Sequence, residues 1–103
     1  MVVQMEKGRA LYVRIDRKIR GKELPRQDFQ DHLDYMRSLA KERYLVGGGF
    51  SNVSGGLILF EAMDLEEAQK IARHDPLIKR GFYECDVFEW KLEVLSENGA
   101  ARE

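Results

Sequence analysis

The first patterned segment of the chain alternates between apolar and polar positions. Over residues 10–16, one face of an extended segment holds the apolar side chains Leu11, Val13 and Ile15. The opposite face holds Tyr12, Arg14 and Asp16. Alternation with a period of two predicts a β-strand. The charged, glycine-containing stretch 17–23 predicts a loop after it.

A helical period replaces the alternation from Pro25 onwards. Over residues 25–43 the apolar positions recur three and four residues apart, as in an amphipathic helix. They are Phe29, Leu33, Met36 and Ala40, with Leu39 and Tyr44 widening the stripe. Proline is favoured in the first turn of a helix, where its missing N–H costs little. The pattern therefore predicts one helix over residues 25–43.

A hairpin follows the first helix. Residues 45–50 and 56–61 predict two strands, and the serine, asparagine and glycine residues at 51–55 are typical of the turn between them.

The chain then predicts a second helix and a last strand. Asp64 and Glu67 have the spacing of a capping box, in which the aspartate caps the helix and the glutamate reaches back. One face of this helix is apolar: Leu65, Ala68, Ile71 and Ala72. Pro76 ends the helix, because proline disfavours helical geometry at the residue before it. Residues 77–81 predict a connector, and residues 82–94 predict a long strand.

The order βαββαβ is the ferredoxin-like pattern. It is an α+β fold whose antiparallel sheet has two helices on one face. The last strand has apolar residues on both of its faces. They are Tyr83, Cys85 and Val87 on one face, and Phe82, Phe88, Trp90 and Leu92 on the other. One subunit supplies helices for only one face, so we expect a second copy to cover the other face in a homodimer, with Trp90 at the interface. A β-bulge near Val87 that shifts the phase is the alternative.

Length, charge and composition fit one soluble domain. The 103 residues are 44% hydrophobic and 34% charged, which argues against disorder. We expect a single domain over residues 1–95 and a flexible polar tail over 96–103. Lys plus Arg is 17 and Asp plus Glu is 18, for a net charge of -1. This balance gives no electrostatic reason to expect nucleic acid or an anionic membrane as a partner.

The single cysteine, Cys85, fits a reducing compartment. Residues 1–9 do not have the pattern of a signal peptide, and no apolar run approaches the length of a membrane helix. We therefore expect a cytoplasmic protein.

His32 is the first candidate for chemistry. It lies three residues after Phe29 and four before Met36, so the helical period places it on or beside the apolar stripe. Imidazole takes and gives protons near neutral pH. The alternative is a buried histidine that is hydrogen-bonded to backbone.

Asp75 is the second candidate, because it shares the inward face of the second helix with Ala68 and Ala72. A carboxylate at a helix C-terminus meets the negative end of the helix dipole, and a nearby imidazolium would offset that cost. The alternative is a simple helix stop, since Asp-Pro commonly opens a turn. Adjacent helical residues point about 100° apart, so we expect His74 on the solvent side.

Three further features are candidates for ligand binding. Gly48 and Gly49, in a run of three glycines, would let a ligand approach backbone N–H groups; the alternative is relief of crowding at a bend in the strand. Arg14 would hold an anionic substrate, and a solvated surface charge is the alternative. Cys85 is expected as a small buried hydrophobe rather than a nucleophile.

Several short motifs occur together along the chain. They are Asp31-His32-Leu33-Asp34-Tyr35, Leu45-Val46-Gly47-Gly48-Gly49-Phe50, Glu61-Ala62, Glu66-Glu67-Ala68, Asp75-Pro76-Leu77 with Gly81, and Phe88-Glu89-Trp90. In this combination, residues 10–92 resemble the YCII-related (YciI-like) family.

The resemblance implies ferredoxin-like subunits that pair through their sheets as a dimeric α/β barrel, with His32 and Asp75 as the active-site pair. One enzyme of that family resembles a dehydrochlorinase acting on a chlorinated hydroxyquinol, and most members have no assigned reaction. This chain departs from the family pattern twice. The loop 17–23 is longer and more charged, which affects the cleft entrance. Gly49-Phe50 stands where Gly-Pro is commoner, which affects the backbone beside the site.

The candidate residues are compatible with three functions. The first is a cofactor-free enzyme that carries out elimination, dehydrochlorination or isomerisation of a small cyclic or phenolic compound. In it, His32 is the acid or base and Asp75 orients the imidazole. The second is a non-enzymatic module that binds a metabolite or a protein partner in the same cleft. The third is a haem or metal site, which is disfavoured because the chain has two histidines and no cluster of ligands around them.

Overall fold

The computed structural model describes residues 10–96, which form a four-stranded sheet with three helices on one face. The elements in chain order are β1 (Ala10–Lys18), α1 (Arg26–Ala40), β2 (Leu45–Gly49), β3 (Gly56–Ala62), α2 (Leu65–Arg73), α3 (Pro76–Lys79) and β4 (Tyr83–Trp90). The strand order is β2-β3-β1-β4, and each neighbouring pair is antiparallel. The predicted ferredoxin-like α+β fold is confirmed.

The ends of several elements differ from the prediction. β1 continues past Asp16, because Arg17 and Lys18 pair with β4. α1 spans Arg26–Ala40 instead of 25–43, and the backbone N–H groups of Glu42 and Arg43 both donate to Leu39 in a closing turn. β4 ends at Trp90 rather than at 94. The predicted tail lies outside the described residues except for its first position.

The predicted connector 77–81 is wrong in its first half, because α3 begins at Pro76. The capping box of α2 is confirmed in part. Asp64 accepts a hydrogen bond from the backbone N–H of Glu67 at 2.8 Å, as expected. The Glu67 carboxylate, however, accepts from the N–H of Met63 at 3.0 Å, one residue before the capping position.

The polar face of β1 is the face that the helices cover. Tyr12 and Arg14 are each 1% exposed and Asp16 is 5% exposed. Tyr12 joins the hydrophobic core, which also contains Met36, Leu39, Ile58, Phe60, Ala62 and Ala68. Arg14 and Asp16 continue the same row beyond this core. The interface between sheet and helices is therefore apolar at one end and charged at the other.

The buried face of α1 is rotated relative to the predicted stripe. Met36 and Leu39 are buried, as expected, but Ala40 is exposed and Phe29 is 44% exposed. His32 lies four residues before Met36 and seven before Leu39, so it shares their face. This rotation turns the imidazole towards the sheet.

The other face of the sheet has no helix among residues 10–96. It exposes four large apolar side chains: Val46, Leu57, Phe88 and Trp90. The pairing of β1 with β4 runs without interruption from Leu11 opposite Trp90 to Lys18 opposite Tyr83, so the alternative of a bulge near Val87 is wrong. Within this part of the chain, no helix is long and apolar enough to cross a membrane.

Candidate active site

His32 and Asp75 are brought together by the packing of α1 against α3. The Nδ1 atom of His32 lies 2.7 Å from Oδ2 and 3.0 Å from Oδ1 of Asp75. The His32 side chain is 12% exposed, whereas the Asp75 side chain is fully buried. The pair that the sequence predicts is therefore formed, with the carboxylate inside and the imidazole at the boundary with solvent.

Asp75 occupies a different place in the backbone from the one predicted. It is not the end of α2, which stops at Arg73 with His74 as its C-cap. Instead Asp75 is the N-cap of α3, and its Oδ1 accepts from the backbone N–H of Leu77 at 2.9 Å. Pro76 is the first residue of α3, where it has no intrahelical N–H to lose. The Asp-Pro step therefore starts a helix and aims the carboxylate inwards.

Arg14 lies beneath the pair and contacts both neighbouring carboxylates. Its Nε and Nη2 atoms donate to Asp16 at 2.7 and 2.9 Å, and its Nη1 lies 2.9 Å from Oδ2 of Asp75. Arg14 is 1% exposed, so the alternative of a solvated charge is wrong, and its nitrogens bond two carboxylates instead of facing the space where an anionic substrate was expected. Its planar guanidinium allows this forked arrangement, which a lysine ammonium would not reproduce.

The four side chains form one hydrogen-bonded row from Asp16 through Arg14 and Asp75 to His32. Burial alone raises the pKa of Asp75, but the hydrogen bond from His32 and the charge of Arg14 outweigh it and hold that pKa below its usual range. Burial lowers the pKa of Arg14, but its bonds to Asp16 and the charges of Asp16 and Asp75 raise it by more. Asp75 is therefore a carboxylate and Arg14 a cation throughout the neutral range.

An ionised Asp75 fixes the tautomer of neutral His32. A carboxylate has no proton to donate, so the short contact requires the proton to be on Nδ1 of the imidazole. The other ring nitrogen, Nε2, then carries a lone pair. Among the residues that the structure describes, no hydrogen-bond partner occupies it. The geometry is that of an imidazole oriented by a carboxylate, with one ring nitrogen left to accept a proton.

A cavity of about 130 Å³ adjoins His32. Its apolar wall contains Phe29, Leu33, Met36, Leu45, Ile58 and Leu77. On the sheet side, Gly47, Gly49 and Gly56 supply no side chain. A Cβ atom at Gly47 would lie only 3.0 Å from Cγ1 of Ile58. The glycine run therefore clears the space beside the imidazole.

Gly48 and Gly49 both line the cavity, but their backbones face different ways. The N–H of Phe50 donates to Gly55, and the N–H of Glu61 donates to Tyr44. In an antiparallel pair such bonded positions alternate with positions that point outwards. This alternation directs the N–H of Gly48 towards β3 and that of Gly49 to the outer edge of the sheet. Of the two, Gly49 is the one whose N–H is not directed into the β2–β3 pairing.

An ion-pair clamp joins the two helices that carry the pair. Nη1 of Arg80, at the C-cap of α3, lies 2.7 Å from Asp28 and 2.7 Å from Asp31 on α1. Sequence reasoning missed this clamp and also missed Asp16 as a site residue. The alternation of β1 could have indicated Asp16, because it lies on the same face of the strand as Tyr12 and Arg14.

Of the remaining candidates, Cys85 pairs with Asp16 across the sheet, whereas His74 and Trp90 lie outside the charged row. His74 is exposed, as predicted, with its Nδ1 2.8 Å from the carbonyl oxygen of Lys70. Cys85 is half-buried, and burial raises the pKa of its thiol, which does not favour a nucleophilic role. Trp90 is 42% exposed on the open face of the sheet.

Known proteins share this sequence pattern and fold. Residues 10–91 match the YCII-related domain. Uncharacterized protein YjpA from Bacillus subtilis (strain 168) is 32% identical over 84 residues, which cover 81% of this chain and 99% of that protein.

A solved structure with the same fold is 5-chloro-2-hydroxyhydroquinone dehydrochlorinase (TftG) from Burkholderia phenoliruptrix AC1100, in complex with 2,5-dihydroxybenzoquinone. It matches with a TM-score of 0.68 at 22% identity, over 79% of this chain and 93% of that one. The sequence match over residues 10–91 is the decisive finding. The chain belongs to the YCII-related domain family.

Proposed function

We propose that this protein is a small-molecule enzyme in which His32 acts as general base and then as general acid, with Asp75 as its positioning partner. The observation that carries the proposal is the 2.7 Å contact between Nδ1 of His32 and a fully buried carboxylate. That contact supports an imidazole whose Nε2 is free to accept a proton beside a cavity. A histidine that served packing alone would not need a buried charge behind it.

The chemistry follows from the charges in the row. When Nε2 takes a proton from a ligand, the imidazole becomes a cation and its Nδ1–H bond to ionised Asp75 strengthens. Arg14 and the N–H of Leu77 keep the carboxylate in place. In an elimination, the leaving group departs with its bonding electrons. In an isomerisation, the imidazolium returns the proton to another ligand atom. These steps use only residues of this chain, and cofactor-free chemistry remains part of the proposal.

The cavity supports a ligand with one small ring. Its volume of about 130 Å³ is comparable with an engineered apolar cavity of about 150 Å³ that binds benzene in another protein. The structural neighbour described above is a dehydrochlorinase seen with a dihydroxybenzoquinone. A cyclic or phenolic compound that loses HCl or isomerises is therefore the substrate class we propose.

Proton abstraction can be tested before the natural substrate is known. The protein would be incubated in D₂O with a panel of hydroquinones and chlorohydroquinones, including 5-chloro-2-hydroxyhydroquinone. Ring-proton exchange would be followed by NMR and chloride release by ion chromatography. We expect wild-type protein to accelerate exchange or chloride release for at least one compound, and His32→Ala to lose about 10²–10⁴ of that rate. His74→Ala is the matched control and should retain it.

The outcomes separate an enzyme from a binding module. Saturable binding at the cavity with no exchange and no chloride release, or the same rates in His32→Ala, would overturn the acid–base proposal. The alternative of a metabolite-binding module in the same cavity would then be favoured.

We also propose that two copies pair through the open faces of their sheets. Leu57, Phe88 and Trp90 on this face are 39–53% exposed, and exposed apolar patches of this kind mark contact surfaces. The face is formed by all four strands, which suits stacking on an identical sheet. A homodimer would bury these side chains while leaving the helix side, and with it the cavity, unchanged.

A further inference from the structure

One carboxylate of the buried row borders the cavity directly. Asp16 pairs with Gly56 across the sheet, and Gly56 pairs with Gly49. Side chains of paired residues lie on the same face, so the Asp16 carboxylate lies next to the space that these two glycines leave open. Asp16 is among the residues that line the cavity, as is His32.

The cation that balances Asp16 is kept away from the cavity. Arg14 is 1% exposed, and its nitrogens bond Asp16 and Asp75. Among residues 10–96, no lysine or arginine lines the cavity. The row therefore holds two carboxylates and one guanidinium, and of these three charged groups only the Asp16 carboxylate lines the cavity.

We propose that Asp16 determines which ligands the cavity accepts: uncharged molecules with a hydroxyl or other hydrogen-bond donor, and not carboxylates or phosphates. This inference rests on the proposed function, since it names the ligand class of the same site. Each oxygen of Asp16 accepts one bond from Arg14, and a carboxylate oxygen can accept more than one. A ligand hydroxyl would use that remaining capacity. An anion would face the Asp16 carboxylate, and no lysine or arginine of the described residues lines the cavity to compensate it.

The test uses two pairs of probes with matched shapes. Phenol and fluorobenzene differ in the hydrogen-bond donor, and benzamide and benzoate differ in charge. Binding to wild-type protein at neutral pH would be followed by the amide signals of Gly47, Gly48 and Gly49 in ¹H–¹⁵N NMR spectra. We expect phenol to bind roughly tenfold or more tightly than fluorobenzene. Benzamide should bind more tightly than benzoate by a similar ratio.

The variant Asp16→Asn removes the charge and keeps the shape. If its NMR spectrum shows the native fold, both ratios should shrink towards one. Even if this variant does not fold, the two affinity ratios measured with wild-type protein test the inference. Benzoate binding as tightly as benzamide, fluorobenzene matching phenol, or no shift of the glycine amides by any probe would overturn the inference.

Failure here can be told apart from failure of the catalytic proposal. If benzoate binds as tightly as benzamide and proton exchange still depends on His32, only the role proposed for Asp16 is overturned. If phenol and benzamide bind selectively but no proton exchange depends on His32, the catalytic proposal is overturned. The site would then be a binding site that selects hydrogen-bond donors.

Discussion

The Nδ1 atom of His32 lies 2.7 Å from Oδ2 of Asp75, although 43 residues separate the two in sequence. Their contact depends on where α3 begins, because Asp75 caps that helix with the same carboxylate that accepts from His32. Arg80 then holds α3 to α1 through Asp28 and Asp31.

The tautomer of His32 should depend on Asp75. In wild-type protein, ¹⁵N NMR of the imidazole should show the proton of the neutral ring on Nδ1. In Asp75→Asn that preference should be lost, and any His32-dependent turnover should fall by about 10²–10⁴. Asp64→Asn is the matched control, since Asp64 also caps a helix but does not contact His32. An unchanged ¹⁵N pattern in Asp75→Asn would contradict the proposed coupling.

Removal of the buried guanidinium should cost far more stability than removal of an exposed one. Arg14→Ala leaves Asp16 and Asp75 buried without their cation, so the free energy of unfolding should fall by about 3–5 kcal/mol. Arg17→Ala on the same strand removes an exposed pair with Asp86 and should cost far less, because solvent screens exposed ion pairs. Urea unfolding of the two variants measures the difference, and equal losses would count against a buried charge row.

Acid should weaken the fold partly through Asp75. Its pKa is lowered in the folded state, so its contribution is present above its unfolded pKa and is lost as pH falls through its folded pKa. Asp75→Asn should therefore be less stable than wild type at neutral pH and should lose less stability between about pH 5 and pH 2. Urea unfolding at several pH values tests this. Parallel curves for the two proteins would show that Asp75 does not titrate across this range.

A methyl group at Gly49 should narrow the cavity without unfolding the protein. A Cβ atom there would lie 3.7 Å from the carbonyl oxygen of Gly55, an ordinary contact. Gly49→Ala should therefore change the free energy of unfolding by about 1 kcal/mol or less and weaken phenol binding. Gly48→Ala is the control, because a Cβ there meets nothing within 4 Å and points to the other face of the sheet. Equal phenol affinity in both variants, measured by NMR titration, would argue against binding at this place.

The oligomeric state should respond to charge on the open face of the sheet. Wild-type protein is expected to be a dimer by sedimentation velocity, and Phe88→Asp is expected to be a monomer, because it would bury a carboxylate in an apolar interface. Val53→Asp is the matched control, since Val53 is 62% exposed in the β2–β3 turn, outside the strands that form this face. A monomeric wild type, or a dimer that persists in Phe88→Asp, would exclude this interface.

Local pattern predicted the element order and the fold class, because alternation and helical periodicity are set by neighbouring residues. It also predicted His32 and Asp75 as the reactive pair and the open sheet face. Element ends were less predictable. The start of α3 at Pro76 depends on the cap that Asp75 forms once its carboxylate is buried, and the length of β1 depends on the pairing of Lys18 with a strand that begins 65 residues later.

The charge row shows what local pattern leaves undetermined. Alternation put Arg14 and Asp16 on one face of β1, but it did not say which face the helices cover. The sequence by itself therefore determined the fold and pointed to His32 and Asp75 as a pair. Only the tertiary structure decided that Arg14 is buried between two carboxylates, that Asp16 borders the cavity, and that Arg80 clamps the helices. The physical reason is that burial and charge compensation depend on contacts between distant segments, which exist only after packing.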